Sequence, residues 1–130
     1  MTLAYLDVDN FKRINATLGH HEGDKVLLKL TEIVQSIIRR TDALGRLDGD
    51  EFILIFPDTG IRDSRAIIIK IKSEFSKISA SNNWSVSLSI GVGIFKEDRL
   101  NLKKMMTTVD ALMYKVKKGT KNGVLFHEYD

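Results

Sequence analysis

Apolar and polar residues alternate along this chain at two different spacings. Between Trp84 and Phe95, apolar residues fall at every second position, which is typical of a strand. Between Asp24 and Arg40, they recur every three or four positions, which is typical of an amphipathic helix. The whole pattern predicts, in chain order, strand Leu3–Val8, helix Asn10–Leu18, helix Asp24–Arg40, strands Ala43–Leu47 and Glu51–Phe56, helix Arg62–Ile78, strand Trp84–Phe95, helix Leu102–Lys117 and strand Gly123–Phe126.

This order, β-α-α-β-β-α-β-α-β, indicates an α+β fold in which helices flank one central sheet of about five strands. The chain has 130 residues, 43% of them apolar and 28% charged, which is ordinary for a single globular domain. It has no cysteine, so a disulfide framework and a thiolate metal site are excluded. Its apolar runs are too short to cross a bilayer, and we expect a cytoplasmic domain whose own residues make no membrane contact.

Acidic residues collect at two predicted turns. Asp48, Asp50 and Glu51 surround Gly49 at the tip of the predicted hairpin, where Asp48-Gly49 favours a tight type I′ turn. Asp7 follows the apolar start of the first strand. Like charges this close repel each other unless a cation lies among them. Acidic turn residues usually face water, which we favour for Asp48; for Asp7 with Asp50 and Glu51 we favour a metal site.

Basic residues collect elsewhere, at Lys115, Lys117, Lys118 and Lys121. Acids in one place and lysines in another suit an anionic ligand held between a metal and ammonium groups. Aromatic residues make up only 8% of the chain and form no stacking ladder, so we expect no nucleic-acid partner.

Four blocks of sequence together resemble the GGDEF family of diguanylate cyclase domains. Asp48-Gly49-Asp50-Glu51-Phe52 stands at the place of the family's signature pentapeptide. Asp7–Asn15 with Gly19–Asp24 is similar to its D-[IV]-D-x-F-K-x-[IV]-N … G-H-x-x-G-D block, and Ser89–Val92 to its S-I-G-V strand. Asp110–Asn122 resembles the terminal block. The blocks occur in the family's order across nearly the whole chain.

The resemblance implies a palm-like sheet and a reaction between two facing domains of a homodimer. Each domain would hold one GTP, and each 3′-hydroxyl would attack the other nucleotide's α-phosphate, giving cyclic di-GMP and two pyrophosphates. Two Mg²⁺ or Mn²⁺ ions at each GTP would be held by the carboxylates of Asp7, Asp50 and Glu51 and by the Val8 carbonyl. Asp50 and Glu51 are the implied catalytic residues.

The resemblance also implies the substrate contacts. Lys12 and the amides of Asn10 and Phe11 would meet the terminal phosphates at a helix start, and Lys117 and Lys121 would approach from the last helix. Asn15 and Asp24 would read the guanine edge, and Gly49 would lie beside the triphosphate. Other readings stay open: Asp9 and Asp24 are also suited to cap helices, and single lysines usually face solvent.

Arg39-Arg40-Thr41-Asp42 matches the family's R-x-x-D inhibitory pattern, five residues ahead of the pentapeptide. By the resemblance, Arg39 and Asp42 would bind cyclic di-GMP as product and inhibitor. Lys70 stands where some members have a second arginine.

The chain departs from the family pattern in ways that leave alternatives open. Asp48 replaces the first glycine of the signature, which adds a negative charge beside the triphosphate. We expect a single catalytic domain over residues 1–130 that lacks the family's usual first helix and works with an upstream sensor domain. The main alternative is a non-catalytic module that binds GTP or cyclic di-GMP and signals to a partner. A palm-type transferase acting on nucleic acid is a further alternative, but no duplex-binding track is visible.

Overall fold

The computed structural model describes residues 1–96 and 101–129 of the chain. These residues form one five-stranded sheet with the strand order β2-β3-β1-β4-β5. The elements are β1 (Thr2–Asp9), α1 (Phe11–Leu18), α2 (His20–Ile37), β2 (Ala43–Asp48), β3 (Glu51–Phe56), α3 (Ile61–Ser81), β4 (Ser87–Phe95), α4 (Leu102–Lys118) and β5 (Gly123–Tyr129). The predicted α+β class and the order of elements are therefore confirmed.

Strand β1 lies in the middle of the sheet, antiparallel to β3 on one side and to β4 on the other. Every residue of β1 is buried, because helices cover both faces. Ala4, Leu6 and Val8 belong to the larger core under α1, α2 and α3. Leu3 and Tyr5 belong to a smaller core under α4. Side chains alternate along a strand, so Asp7 and Asp9 continue on the α4 side.

The boundaries of α2 correct the sequence prediction. The helix begins at His20 rather than Asp24, because Gly19 alone, at φ 92°, breaks the chain after α1. Asp24 lies within the helix, so the alternative of a helix cap at Asp24 is wrong. The helix ends at Ile37, and Arg39 therefore lies beyond it rather than inside it. No helix among residues 1–96 and 101–129 is long and apolar enough to cross a membrane.

Two further sequence-based interpretations are wrong: the type of the hairpin turn and the residue that caps α1. The β2–β3 turn consists of Gly49 and Asp50, since Asp48 pairs with Glu51. None of these residues has a positive φ, so the turn is not type I′. Asp9 does not cap α1, because it still belongs to β1 and Asn10 occupies the N-cap position at φ 64°.

Helix α4 lies directly against β4 at two glycines. A Cβ atom on Gly91 would fall 2.7 Å from the Val109 carbonyl oxygen and closer still to the Met113 nitrogen, both backbone atoms of α4. A Cβ on Gly93 would fall 2.7 Å from Val109 Cγ2, a side-chain atom. At Gly91, only glycine allows the two backbones to approach this closely.

We predict that Gly91→Ala lowers the free energy of unfolding by at least about 2 kcal/mol, because α4 must move away from β4. Gly49→Ala is the matched control, because no heavy atom lies within 4 Å of the added Cβ. That control should change stability by less than about 0.5 kcal/mol. Urea unfolding followed by circular dichroism measures both variants, and equal stabilities would contradict the prediction.

Candidate active site

The end of β1 and the tip of the β2–β3 hairpin meet in space. Asp7 is paired with Glu51 across the β1–β3 ladder, and the Val8 amide donates to the Asp50 carbonyl at 3.2 Å. A cavity of about 470 Å³ opens at this junction. It is lined by Asp7, Val8, Asn10, Phe11, Lys12, Asp48, Asp50, Glu51, Lys117 and Lys121. The structure thus brings together the acids of the two turns and most of the residues predicted to contact phosphates.

Asp7 is a buried acid whose negative charge is only partly compensated. The residue is buried, with 8% relative exposure, and its Oδ1 atom has no hydrogen-bond partner among the described residues. Burial, and then the nearby Asp50 carboxylate, raise the pKa of Asp7 to about 7. An oxygen that is buried, unpartnered and crowded by a second acid is suited to a cation ligand.

The negative charge of Asp9 is well compensated by hydrogen bonds, although only one residue separates Asp9 from Asp7. Its Oδ1 accepts from Ser89 Oγ at 2.6 Å, and its Oδ2 accepts from Ser87 Oγ at 2.6 Å and from the Asn122 amide at 3.0 Å. Burial alone would raise the pKa of Asp9, but these hydrogen bonds outweigh it and lower the pKa. Asp9 is therefore a satisfied structural acid that joins β1, β4 and the segment before β5.

Lys117 reaches from α4 to both acids. Its ammonium lies 3.0 Å from Asp9 Oδ1 and 3.3 Å from Asp7 Oδ2. The sequence predicted this lysine as a phosphate contact. The structure places it on the cavity wall, with its charge already shared between two carboxylates.

Glu51 lies where several negative charges meet. Burial raises the pKa of Glu51, and the charges of Asp110, Asp50 and Asp48 raise it further. Sequence reasoning assigned no role to Asp110, which is exposed on α4; its place in the terminal block was the only available signal. Asp48 is exposed, as predicted, but it also lines the cavity, and its Oδ1 accepts from the Gly49 amide at 2.9 Å.

The donor set fits a hard divalent cation that keeps water or phosphate ligands. No cluster of three or more His, Cys, Asp or Glu side chains that could hold a metal occurs in the described part of the chain. The protein would instead offer the carboxylates of Asp7 and Asp50 with the Val8 carbonyl, and Glu51 beside them. Mg²⁺ is bound in this way in many phosphoryl-transfer sites, where the substrate and water supply the remaining oxygens.

Other residues that line the cavity are suited to anions. Asn10, Phe11 and Lys12 lie at the start of α1, where backbone N–H groups have no partner within the helix. Lys121 lines the same cavity and has a left-handed backbone with φ 56°. One cavity thus contains both the acids that a cation requires and the amides and ammonium groups that a triphosphate requires.

The predicted guanine contacts, and Gly49, lie outside this cavity lining. Asn15 packs against α2 so closely that a Cβ on Gly23 would clash with its Oδ1 atom. That Oδ1 is buried and has no hydrogen-bond partner among the described residues. Asp24, next to Gly23, is exposed on α2. An unpartnered amide oxygen beside an exposed carboxylate is compatible with hydrogen bonding to a guanine base.

The residues predicted to bind inhibitor lie at the other end of the sheet. Asp42 Oδ2 accepts from the Arg39 amide at 2.8 Å and approaches Arg39 Nε at 3.5 Å. The Arg39 guanidinium also donates to Thr59 Oγ1. Asp42 Oδ1 is buried without a hydrogen-bond partner within the described ranges, and Lys70 is exposed on α3.

Comparisons with known proteins agree with this architecture. The family model "Diguanylate cyclase, GGDEF domain" matches residues 1–123. The chain is 32% identical to YhcK of Bacillus subtilis and 31% identical to the probable diguanylate cyclase DgcC of Escherichia coli. These matches cover 97% and 93% of the chain, but only 36% and 33% of the relatives. The chain therefore spans about a third of the length of these relatives.

Solved structures show the same fold. The active GGEEF domain of a diguanylate cyclase from Vibrio cholerae has a TM-score of 0.88 at 27% identity, covering 99% of this chain and 83% of that domain. The GGDEF domain of DgcB from Caulobacter crescentus, in complex with c-di-GMP, has a TM-score of 0.83 at 26% identity, covering 96% and 76%. The chain belongs to the GGDEF domain family.

We predict opposite effects on stability for two substitutions in β1. Asp7 has a raised pKa, so its ionisation opposes folding above about pH 7, and this cost disappears as the pH falls toward 3.8, its ordinary value. Asp7→Asn should therefore raise the thermal midpoint at pH 8 by several degrees in the presence of EDTA. Near pH 3.5 the difference should vanish.

Asp9→Asn is the matched comparison. Its lowered pKa contributes stability at pH values above the ordinary pKa, and this stability is lost as the pH falls through the lowered value. The substitution should cost about 3 kcal/mol at pH 8, because Lys117 loses a buried partner. Thermal unfolding by calorimetry across pH tests both, and the same sign for the two variants at pH 8 would contradict the assignment.

Proposed function

We propose that this chain is a diguanylate cyclase domain, which joins two GTP molecules into cyclic di-GMP and releases two pyrophosphates. One observation supports this most strongly: Asp7, which keeps a buried oxygen without a hydrogen-bond partner among the described residues, lines one cavity together with Asp50, Glu51 and the start of α1. Carboxylates for cations and amides for phosphates thus lie in one place. Relatives named as a probable diguanylate cyclase and as a diguanylate cyclase align with 93% and 95% of this chain.

Mg²⁺ or Mn²⁺, as two ions at each GTP, would be held by Asp7, Asp50, Glu51 and the Val8 carbonyl. When bound, the ions would neutralise the triphosphate and make the attacking hydroxyl more acidic. The amides of Asn10 and Phe11 would bind the terminal phosphates together with Lys12 and Lys121. These contacts orient the α-phosphate and stabilise the leaving pyrophosphate.

Glu51 is suited to accept the proton of the 3′-hydroxyl. Its carboxylate lines the cavity beside that of Asp50, and in the cation-free chain burial and the surrounding acids raise its pKa. The 3′-oxygen then forms a bond to the α-phosphorus of the other nucleotide, while the bond from that phosphorus to the bridging oxygen of pyrophosphate breaks. Each GTP must present its hydroxyl to the other, so the reaction requires a homodimer with one nucleotide in each domain.

Asn15 and Asp24 would select guanine. A carboxylate accepts from the N1–H and exocyclic amine of guanine, and an amide can meet the remaining edge. The unpartnered Asn15 oxygen and the exposed Asp24 carboxylate leave both groups available for this purpose.

A sensor domain on the same protein would control the cyclase, and the reaction would take place in the cytoplasm, where GTP is present. The greater length of the relatives supports additional domains. The second candidate function is a non-catalytic module that binds nucleotide and signals to a partner. Asp48 favours it, because this acid adds negative charge to the cavity wall where a triphosphate would bind.

The decisive measurement is product formation from GTP and Mg²⁺, followed by chromatography and mass spectrometry. We predict that the chain forms cyclic di-GMP and that Asp50→Ala lowers the rate at least about 100-fold, because a loss of several kcal/mol of cation binding has that effect. Asp58→Ala is the control, since this exposed acid lies at the far end of β3. Nucleotide binding without any product would favour the non-catalytic module.

Product inhibition would act through Arg39 and Asp42, with Lys70 as an additional cation. The guanidinium and carboxylate present a donor fork and an acceptor that match phosphate and the guanine edge. Binding would require Arg39 to exchange its contacts with Asp42 and Thr59 for contacts with the nucleotide.

We predict that Arg39→Ala raises the cyclic di-GMP concentration needed for half-inhibition at least about tenfold, as expected for the loss of a charged hydrogen-bonding partner. Arg40→Ala controls for the loss of one exposed cation at the neighbouring position. Initial rates measured over a series of added product concentrations give both values. Equal inhibition of the two variants would exclude Arg39 from the regulatory site.

A further inference from the structure

Lys117 connects two acids that differ in what else they bind. Asp9 is fully buried, and both of its oxygens accept hydrogen bonds from Ser87, Ser89 and the Asn122 amide in addition to the lysine. Asp7 shares the lysine through Oδ2, while its Oδ1 has no hydrogen-bond partner among the described residues. The lysine is therefore the only described cation paired with Asp7, whereas Asp9 has a complete set of partners.

The Lys117 ammonium lies between the two acids. Its side chain is only 25% exposed, and its nitrogen lies 3.0 Å from Asp9 Oδ1 and 3.3 Å from Asp7 Oδ2. A positive charge from α4 thus lies beside Asp7.

We propose that Lys117 is an internal counter-ion that competes with the divalent cation for Asp7, and that Asp9 retains the lysine when the cation displaces it. This inference rests on the metal site of the proposed function. It assigns Lys117 a second role besides contact with phosphate, and it makes Asp9 a positioning residue for that lysine.

The distances explain why Lys117 would stay with Asp9 and leave Asp7 when a cation binds. Lys117 lies closer to Asp9 than to Asp7, at 3.0 Å against 3.3 Å. Asp9 is fixed by β4 and by the segment before β5, so it cannot follow a cation into the cavity. If a divalent cation were held by Asp7, the ammonium would keep the Asp9 carboxylate as its partner and could also contact bound phosphates.

The ion pair between Lys117 and Asp7 would also stabilise the acids of the site before substrate binds. Without a divalent cation, the Asp50 carboxylate repels that of Asp7, and the charge of Lys117 reduces the effect of this repulsion. Binding of a divalent cation must then overcome an existing ion pair, so the affinity without nucleotide is reduced. The triphosphate would restore it, because its negative charge offers the released ammonium a second partner.

The test is Mn²⁺ binding to the whole chain without nucleotide, measured by electron paramagnetic resonance of free Mn²⁺. Lys117→Met should tighten binding at least about tenfold, because the competing charge is removed. Lys121→Met is the matched control: it removes a positive charge from the same cavity, and among the described residues Lys121 pairs with neither Asp7 nor Asp9. It should tighten binding less than about threefold.

Two other variants separate the possible outcomes. Lys117→Arg keeps the bridging charge and should bind Mn²⁺ no more tightly than the unchanged chain, and this arm remains informative if Lys117→Met fails to fold by circular dichroism. Asp50→Asn should weaken binding, which locates the ion in the proposed site.

Equal tightening in Lys117→Met and Lys121→Met would overturn the inference, because a general field effect would explain it. Tighter binding by Lys117→Arg would also overturn it. Mn²⁺ binding that depends on Asp50 but is unchanged in Lys117→Met would reject the counter-ion and leave the proposed metal site standing. No Mn²⁺ binding by any variant would reject both.

Discussion

Strand β1 places two carboxylates on the same face of a fully buried strand, and the rest of the site depends on how their charges are balanced. Helices cover both faces of this strand, so both acids are buried. Asp9 is balanced by four donors from β4, α4 and the segment before β5. Asp7 is balanced only in part. Asp9 is therefore satisfied within the fold, whereas Asp7 keeps an oxygen without a hydrogen-bond partner among the described residues.

The contact between α4 and β4 brings the balancing charge to this place. Gly91 and Gly93 allow the helix backbone to lie directly on the strand, and Lys117 near the end of the helix then reaches both acids. After α4, Lys121 and Asn122 adopt left-handed conformations, which direct the Asn122 amide at Asp9. Lys72 of α3 donates to the Asn122 side chain. Packing of three elements thus fixes the geometry of one acid.

The proposed catalytic and inhibitory sites lie at opposite ends of β1. Thr2, at the beginning of the strand, donates to the Thr59 carbonyl at 2.5 Å, and Thr59 Oγ1 accepts from Arg39. Five residue steps separate Thr2 from Asp7, or about 17 Å at the rise of a β-strand. A nucleotide bound at Arg39 and Asp42 would not reach the acids of the same chain. Inhibition would act by changing how two domains approach each other or by a movement of the sheet.

Local pattern in the sequence determined the order of strands and helices, the α+β class and the acids at the two turns, whereas the family resemblance singled out the lysines that line the cavity. Alternation and helical spacing are properties of neighbouring residues, so they are visible without a structure. The start of α2 was misjudged because five turn-favouring or polar residues, Gly19–Gly23, read as a loop. In the folded chain, packing of Gly23 against Asn15 draws this segment into the helix.

Only the tertiary structure decided the roles of Asp7 and Asp9, which have the same side chain and nearly the same position in the sequence. Their difference comes from Ser87, Ser89, Lys117 and Asn122, which are about 80 to 110 positions away along the chain. The type of turn at Gly49 and Asp50 was likewise decided by the pairing of Asp48 with Glu51 and by the irregular register after Arg46. Hydrogen bonds and charges act through space, and sequence order does not record which distant groups will share that space.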